Sequence, residues 1–187
     1  MRGLARMLQK PLLFTLERPL RNIMSVTIPR FELENGGAGP SPFALEETLV
    51  DEGVDALVLL LQRDYHCPRC RQQVQDVAAR YDEFEAEKAL VVSLLPEPVD
   101  RARKWQDLYD LPFPLLADPT KKVSDDLDQP SRFSVLGNLH DMIGRMPEAL
   151  VIDVRGDDPT VTYVHKGSSP SDRPTIDELL EEVRQLS

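Results

Sequence analysis

The sequence predicts an α/β fold, a mixed central sheet covered by helices on both faces. Three observations predict it. An apolar run, Asp55–Leu61, leads into residues of helical period and then into a second apolar run, Ala89–Leu95. A third run, Glu148–Val154, passes through Gly156-Asp157-Asp158-Pro159 into Val161–Lys166. The chain then closes with Ile176, Leu179, Leu180, Val183 and Leu186 at helical spacing.

Each element has its own reason. Asp55–Leu61 is almost wholly apolar, as a strand buried on both faces must be. Cys67, Cys70, Val74, Val77, Tyr81 and Phe84 recur every three or four residues, with polar side chains between them, so one amphipathic helix is expected there. Ala89–Leu95 stops at Pro96. Strand, helix, strand in this order makes a βαβ unit with parallel strands and a right-handed crossover. Val99–Tyr109 reads as a helix, Phe113–Ala117 as a short strand among prolines, and Lys121–Leu127 as a short helix. The brief connection after Glu148–Val154 implies an antiparallel hairpin. Thr175 with Glu178 forms a capping box for the last helix. Gly36–Pro42 and Ser168–Pro174 are loops by composition.

At 187 residues the chain holds one domain with a sizeable core. Its net charge of −10 argues against nucleic-acid binding, since such a surface repels phosphate. The charge is uneven. Residues 1–27 carry Arg2, Arg6, Lys10, Arg18 and Arg21 against Glu17, with Leu4, Leu8, Leu12, Leu16 and Leu20 one per helical turn. They read as a basic, poorly ordered N-terminal extension, with Met24 an alternative start, ahead of a domain over 28–187. Pro11, Glu17 and Pro19 interrupt the apolar stretches, which argues against a secretory signal, and no run is long enough for a transmembrane segment. A cytoplasmic location is expected. The whole chain uses 16 Arg but only 6 Lys, and with its acidic body this is a surface suited to concentrated salt. The halophilic expectation is a protein more stable in molar than in dilute KCl, and equal unfolding midpoints would count against it.

The chemistry lies in Tyr65-His66-Cys67-Pro68-Arg69-Cys70-Arg71, where a buried strand gives way to a helix. A helix N-terminus presents unpaired N–H groups and a partial positive charge, which stabilise a thiolate. Arg69 and Arg71 add positive charge, His66 adds more when protonated, and Pro68 suits the first helical turn. Cys67 is expected at the solvent-accessible helix tip, with Cys70 one turn inside. Their spacing lets the sulfurs meet. The Cys67 thiolate would attack a peroxide oxygen or a disulfide sulfur, and Cys70 would then close an internal disulfide. Other roles for such a pair stay open. Cys-x-x-Cys is half of a zinc site, with His66, His140 and His165 the available histidines, and two cysteines on an apolar stripe also make an ordinary core pair. Covalent haem attachment needs His after the second cysteine, where Arg71 stands. No metal and no cofactor are expected.

Phe31-Glu32-Leu33, Asp55–Arg63, His66-Cys67-Pro68-Arg69-Cys70 and Met146–Asp153 together resemble the thioredoxin fold. They most resemble its alkyl hydroperoxide reductase/thiol-specific antioxidant, or peroxiredoxin-like, branch. The likeness spans roughly 28–186. It implies a thioredoxin-like three-layer α/β/α sandwich. It also implies Cys67 as peroxidatic cysteine, Cys70 as resolving cysteine, and Pro147 after a cis peptide facing the pair. Asp64 stands where the family places Thr or Ser, and Met146 where it places Arg, with Arg145 one residue earlier and Arg63 a further candidate. The implied activity is hydroperoxide reduction with a thioredoxin-like or small-thiol electron donor. Alternatives are a thioredoxin/glutaredoxin-like oxidoreductase acting on protein disulfides, and a non-enzymatic redox-sensing module.

Overall fold

The computed structural model describes residues 28–50, 53–131, 144–156 and 158–186. The expected extension 1–27 and His140 lie outside the described residues. The elements run β1 (Glu32–Leu33), β2 (Phe43–Ala44), α1 (Leu45–Leu49), β3 (Ala56–Leu61), α2 (Pro68–Ala78), α3 (Tyr81–Ala86) and β4 (Ala89–Leu95). They continue α4 (Val99–Tyr109), β5 (Leu115–Ala117), α5 (Lys122–Asp126), β6 (Glu148–Asp153), β7 (Thr160–Lys166) and α6 (Ile176–Arg184).

The central sheet has the order β5-β4-β3-β6-β7. β3 pairs parallel with β4, and β4 parallel with β5. β6 runs antiparallel to both β3 and β7. The expected βαβ unit and hairpin are therefore both present. The strand period of two sorts the core onto two faces. Val58 and Leu60 join Ala149 and Val151 on one face, beneath α2, α3, α4 and α6. Leu57, Leu59 and Leu61 join Leu150 and Ile152 on the other, against α1, α5 and Phe43. Every residue of β3 is buried, as its unbroken apolar run requires.

The long stripe from Cys67 to Phe84 is two helices rather than one. Arg80 leaves the helical region at φ −130°, its N–H bonds Val77 O at 3.1 Å in a tightened last turn, and its guanidinium holds Glu83 and Asp177. No Gly or Pro marks this break, and the break keeps Tyr81 and Phe84 in the core, so the apolar spacing runs through it unchanged.

Two loops reach the sheet closely. A Cβ on Gly37 would stand 2.6 Å from Leu115 N, so only glycine lets the β1–β2 connection lie along β5. Asn35 fixes that connection, its Oδ1 accepting from Gly37 N and Leu115 N and its Nδ2 donating to Ala38 O and Pro40 O. At Gly167 a Cβ would stand 2.6 Å from Asp172 O and 2.7 Å from Pro147 Cγ. The 168–174 loop is thereby seated on the start of β6.

Candidate active site

β3 delivers the chain to the sulfur loop. Asp64 Oδ1 accepts from His66 N at 2.8 Å, an Asx turn that bends the chain into α2. Tyr65 anchors the turn. Its N–H donates to Glu97, its carbonyl accepts from Arg71 Nε and Nη2, and its ring stacks on Trp105 with Arg101 4.7 Å above the ring centre. Arg71 is thus occupied in holding the loop as well as in adding charge. Cys67 is the N-cap of α2, Pro68 opens its first turn, and Cys67 Sγ accepts from Cys70 N at 3.1 Å. This is the helix-terminal N–H arrangement that favours an anionic sulfur.

Cys67 and Cys70 are joined as a disulfide, with their Cα atoms 5.3 Å apart. Cys70 is fully buried, on one stripe with Val74 and Val77. Cys67 corrects an expectation. It is only 3% exposed, although it lies at the helix tip. The bridge to Cys70 draws its Sγ inward, towards Cys70 N and the 168–174 loop.

His66 and Arg69 lie exposed on the first turn of the motif. Arg145 gives its guanidinium to Asp125 at 2.6 Å, while its carbonyl accepts from Arg63 Nε at 2.6 Å. Pro147 is buried and its carbonyl accepts from Gly167 N. The Met146–Pro147 peptide is trans, which corrects the second expectation; the cis peptide among the described residues is Ser41–Pro42. Met146 N already bonds Pro130 O, Met146 O accepts from Gln129 Nε2, and the trans chain enters β6 directly.

The group that does meet the sulfurs is Arg173. Its Nη2 is 2.9 Å from Cys70 Sγ and 3.8 Å from Cys67 Sγ. Its Nη1 donates to Gln62 Oε1 and Gln73 Oε1, and Gln62 in turn donates to Ser93. Sequence reasoning placed this arginine in a loop by its Ser- and Pro-rich surroundings. The only signal pointing to it was its position two residues before a capping box, which fixes where the loop ends. Burial, reinforced by the nearby Arg63 cation, lowers the Arg173 pKa to about 10. Asp172 beside it is tied down by Ser168 and by His165 Nε2 at 3.0 Å, so the loop has its own anchors.

Residues 24–157 match the family model described as AhpC/TSA family. The chain belongs to the AhpC/TSA family. The solved structures agree on the fold. Peroxidoxin BcpB from Mycobacterium tuberculosis superposes with a TM-score of 0.70 at 23% identity, covering 87% of this chain and 97% of that one. The reduced Plasmodium vivax 2-Cys peroxiredoxin gives 0.69 at 15%, covering 86% and 93%. Xanthomonas campestris peroxiredoxin Q gives 0.65 at 15%, covering 83% and 90%. No curated protein sequence matches the chain. As an AhpC/TSA protein it is a thiol-dependent oxidoreductase with a thioredoxin-like three-layer sandwich, as its motif and strands imply. Among the described residues no helix is long and apolar enough to cross a membrane. Two features set this AhpC/TSA site apart. Asp64, three residues before Cys67, turns its carboxylate to a backbone N–H. The cation on the sulfurs comes from the 168–174 loop rather than from the start of β6.

Proposed function

We propose that the protein reduces hydroperoxides by cycling Cys67 and Cys70 between dithiol and disulfide. The observation that carries this is the sulfur pair at the N-terminus of α2 in an AhpC/TSA chain, with the Cys70 backbone N–H and Arg173 on the sulfurs. The Cys67 thiolate attacks a peroxide oxygen; the O–O bond breaks, an alcohol or water leaves, and Cys67 becomes a sulfenic acid. Cys70 attacks that sulfur, the S–O bond breaks, hydroxide leaves and takes a proton, and the disulfide forms. A thioredoxin-type or small-thiol reductant restores the dithiol and is itself oxidised. Both readings of the substrate need the outer sulfur to reach solvent, so reduction of the bridge must release Cys67 outward. His66 and Arg69 flank Cys67 in the exposed first turn, Pro147 supports the loop that carries Arg173 through the bond from Gly167 N, and the Arg145 carbonyl holds Arg63. We place the protein in the cytoplasm, without nucleic-acid partners.

One observation favours a second substrate, a protein disulfide. With Asp64 engaged by His66 N, no hydroxyl from that position orients a peroxide. Stopped-flow oxidation of the reduced protein by hydrogen peroxide separates the readings. The peroxidase reading expects a second-order rate far above that of free cysteine. A rate no faster than free cysteine, with insulin reduction by dithiothreitol catalysed, would give the site to disulfide exchange instead.

A further inference from the structure

We infer that Arg173 is the counter-ion of the reduced Cys70 sulfur, charging the inner cysteine for its attack on oxidised Cys67. The inference rests on the dithiol–disulfide cycle proposed above. The two sulfurs have different electrostatic partners. Cys67 Sγ has the first-turn N–H of Cys70, while Cys70 Sγ is fully buried and faces the Arg173 guanidinium at 2.9 Å. A thiol buried among apolar side chains resists ionisation, yet only its thiolate attacks. Arg173 supplies the missing charge.

The oxidised state shows the other half of the arrangement. Among the described residues no carboxylate lies within ion-pair reach of Arg173, its Nε is buried without a partner, and the charged group felt most strongly is the cation Arg63. Gln62 and Gln73 accept its other protons but carry no charge. A partly buried cation facing a neutral disulfide is poorly compensated. Reduction places an anion beside it and turns a weak N–H···S contact into a charge-assisted one. Arg173 therefore favours the dithiol, and it raises the reduction potential of the pair while readying Cys70.

Single-thiol proteins test this without any peroxide. In Cys67→Ser, the Cys70 thiolate is followed by its ultraviolet absorbance against pH, with Arg173 and with Arg173→Met. Removing the guanidinium is expected to move Cys70 ionisation up by about one pH unit or more, with Arg173→Lys intermediate. In Cys70→Ser the same substitution is expected to move Cys67 less. In the two-cysteine protein, Arg173→Met is expected to shift the equilibrium with dithiothreitol about tenfold toward the disulfide, some 30 mV lower in potential. Should Arg173→Met not fold, Arg173→Gln keeps donors for Gln62 and Gln73 and removes the charge alone. An unmoved Cys70 titration overturns the inference, as does a shift of Cys67 equal to that of Cys70. Slow oxidation by peroxide with both shifts present would count against the peroxidase reading alone.

Discussion

Cys67→Ser is expected to lower steady-state peroxide consumption by about a thousandfold or more, because it removes the nucleophile. The fold should survive. Serine is a good N-cap, and its Oγ can accept from Cys70 N as the Cys67 sulfur does. Cys70→Ser has a different expected outcome. Its Cys67 sulfur still reacts with one equivalent of peroxide, and the sulfenic acid persists for trapping by dimedone, but no internal disulfide forms. Coupled turnover with a dithiol donor measures the first variant and mass spectrometry of the trapped adduct the second. Unchanged turnover in Cys67→Ser would remove Cys67 from the chemistry.

Glu148→Gln is expected to stabilise the protein at alkaline pH and to do nothing near pH 4. Glu148 opens β6 with its side chain fully buried, and neither carboxylate oxygen has a hydrogen-bond partner. Burial pushes its pKa up from 4.5 to about 7, with Lys166 at 3.9 Å opposing and Asp128 assisting. In the unfolded chain this carboxyl ionises near its ordinary value, so between those two values the folded state holds more proton than the unfolded state. Stability then falls as pH rises from about 4.5 to about 7 and stays level above. The shift corresponds to about 3 kcal/mol, which the neutral amide would recover. Urea unfolding of both proteins at pH 4 and pH 8 checks this. An equal difference at the two values would show that the Glu148 charge is not the cause.

The parts of this molecule that local pattern controls were legible in the sequence. β3, β4, β6 and β7 follow apolar runs, α6 follows its spacing and its Thr175–Glu178 box, and Cys67 and Cys70 lie at the predicted strand-to-helix junction. What escaped depends on contacts between distant segments. The end of α2 is set by Arg80 reaching Asp177, an interaction that apolar periodicity cannot register. The low exposure of Cys67 follows from the direction its sulfur takes in the bridge, which spacing does not specify. The peptide before Pro147 keeps the ordinary trans state of an X–Pro bond, which a family likeness alone does not override. Arg173 carries no local pattern, because its significance comes from a sulfur on another element.

The contact between Arg173 and Cys70 joins residues 103 positions apart. A chain emerging from the ribosome in order exposes its cysteines long before it exposes that guanidinium. Until then Cys70 lacks the cation inferred above to be its counter-ion. On that inference the inner cysteine gains its counter-ion late in synthesis, when the 168–174 loop settles on the sulfurs, whereas Cys67 has its helix-terminal N–H as soon as α2 forms.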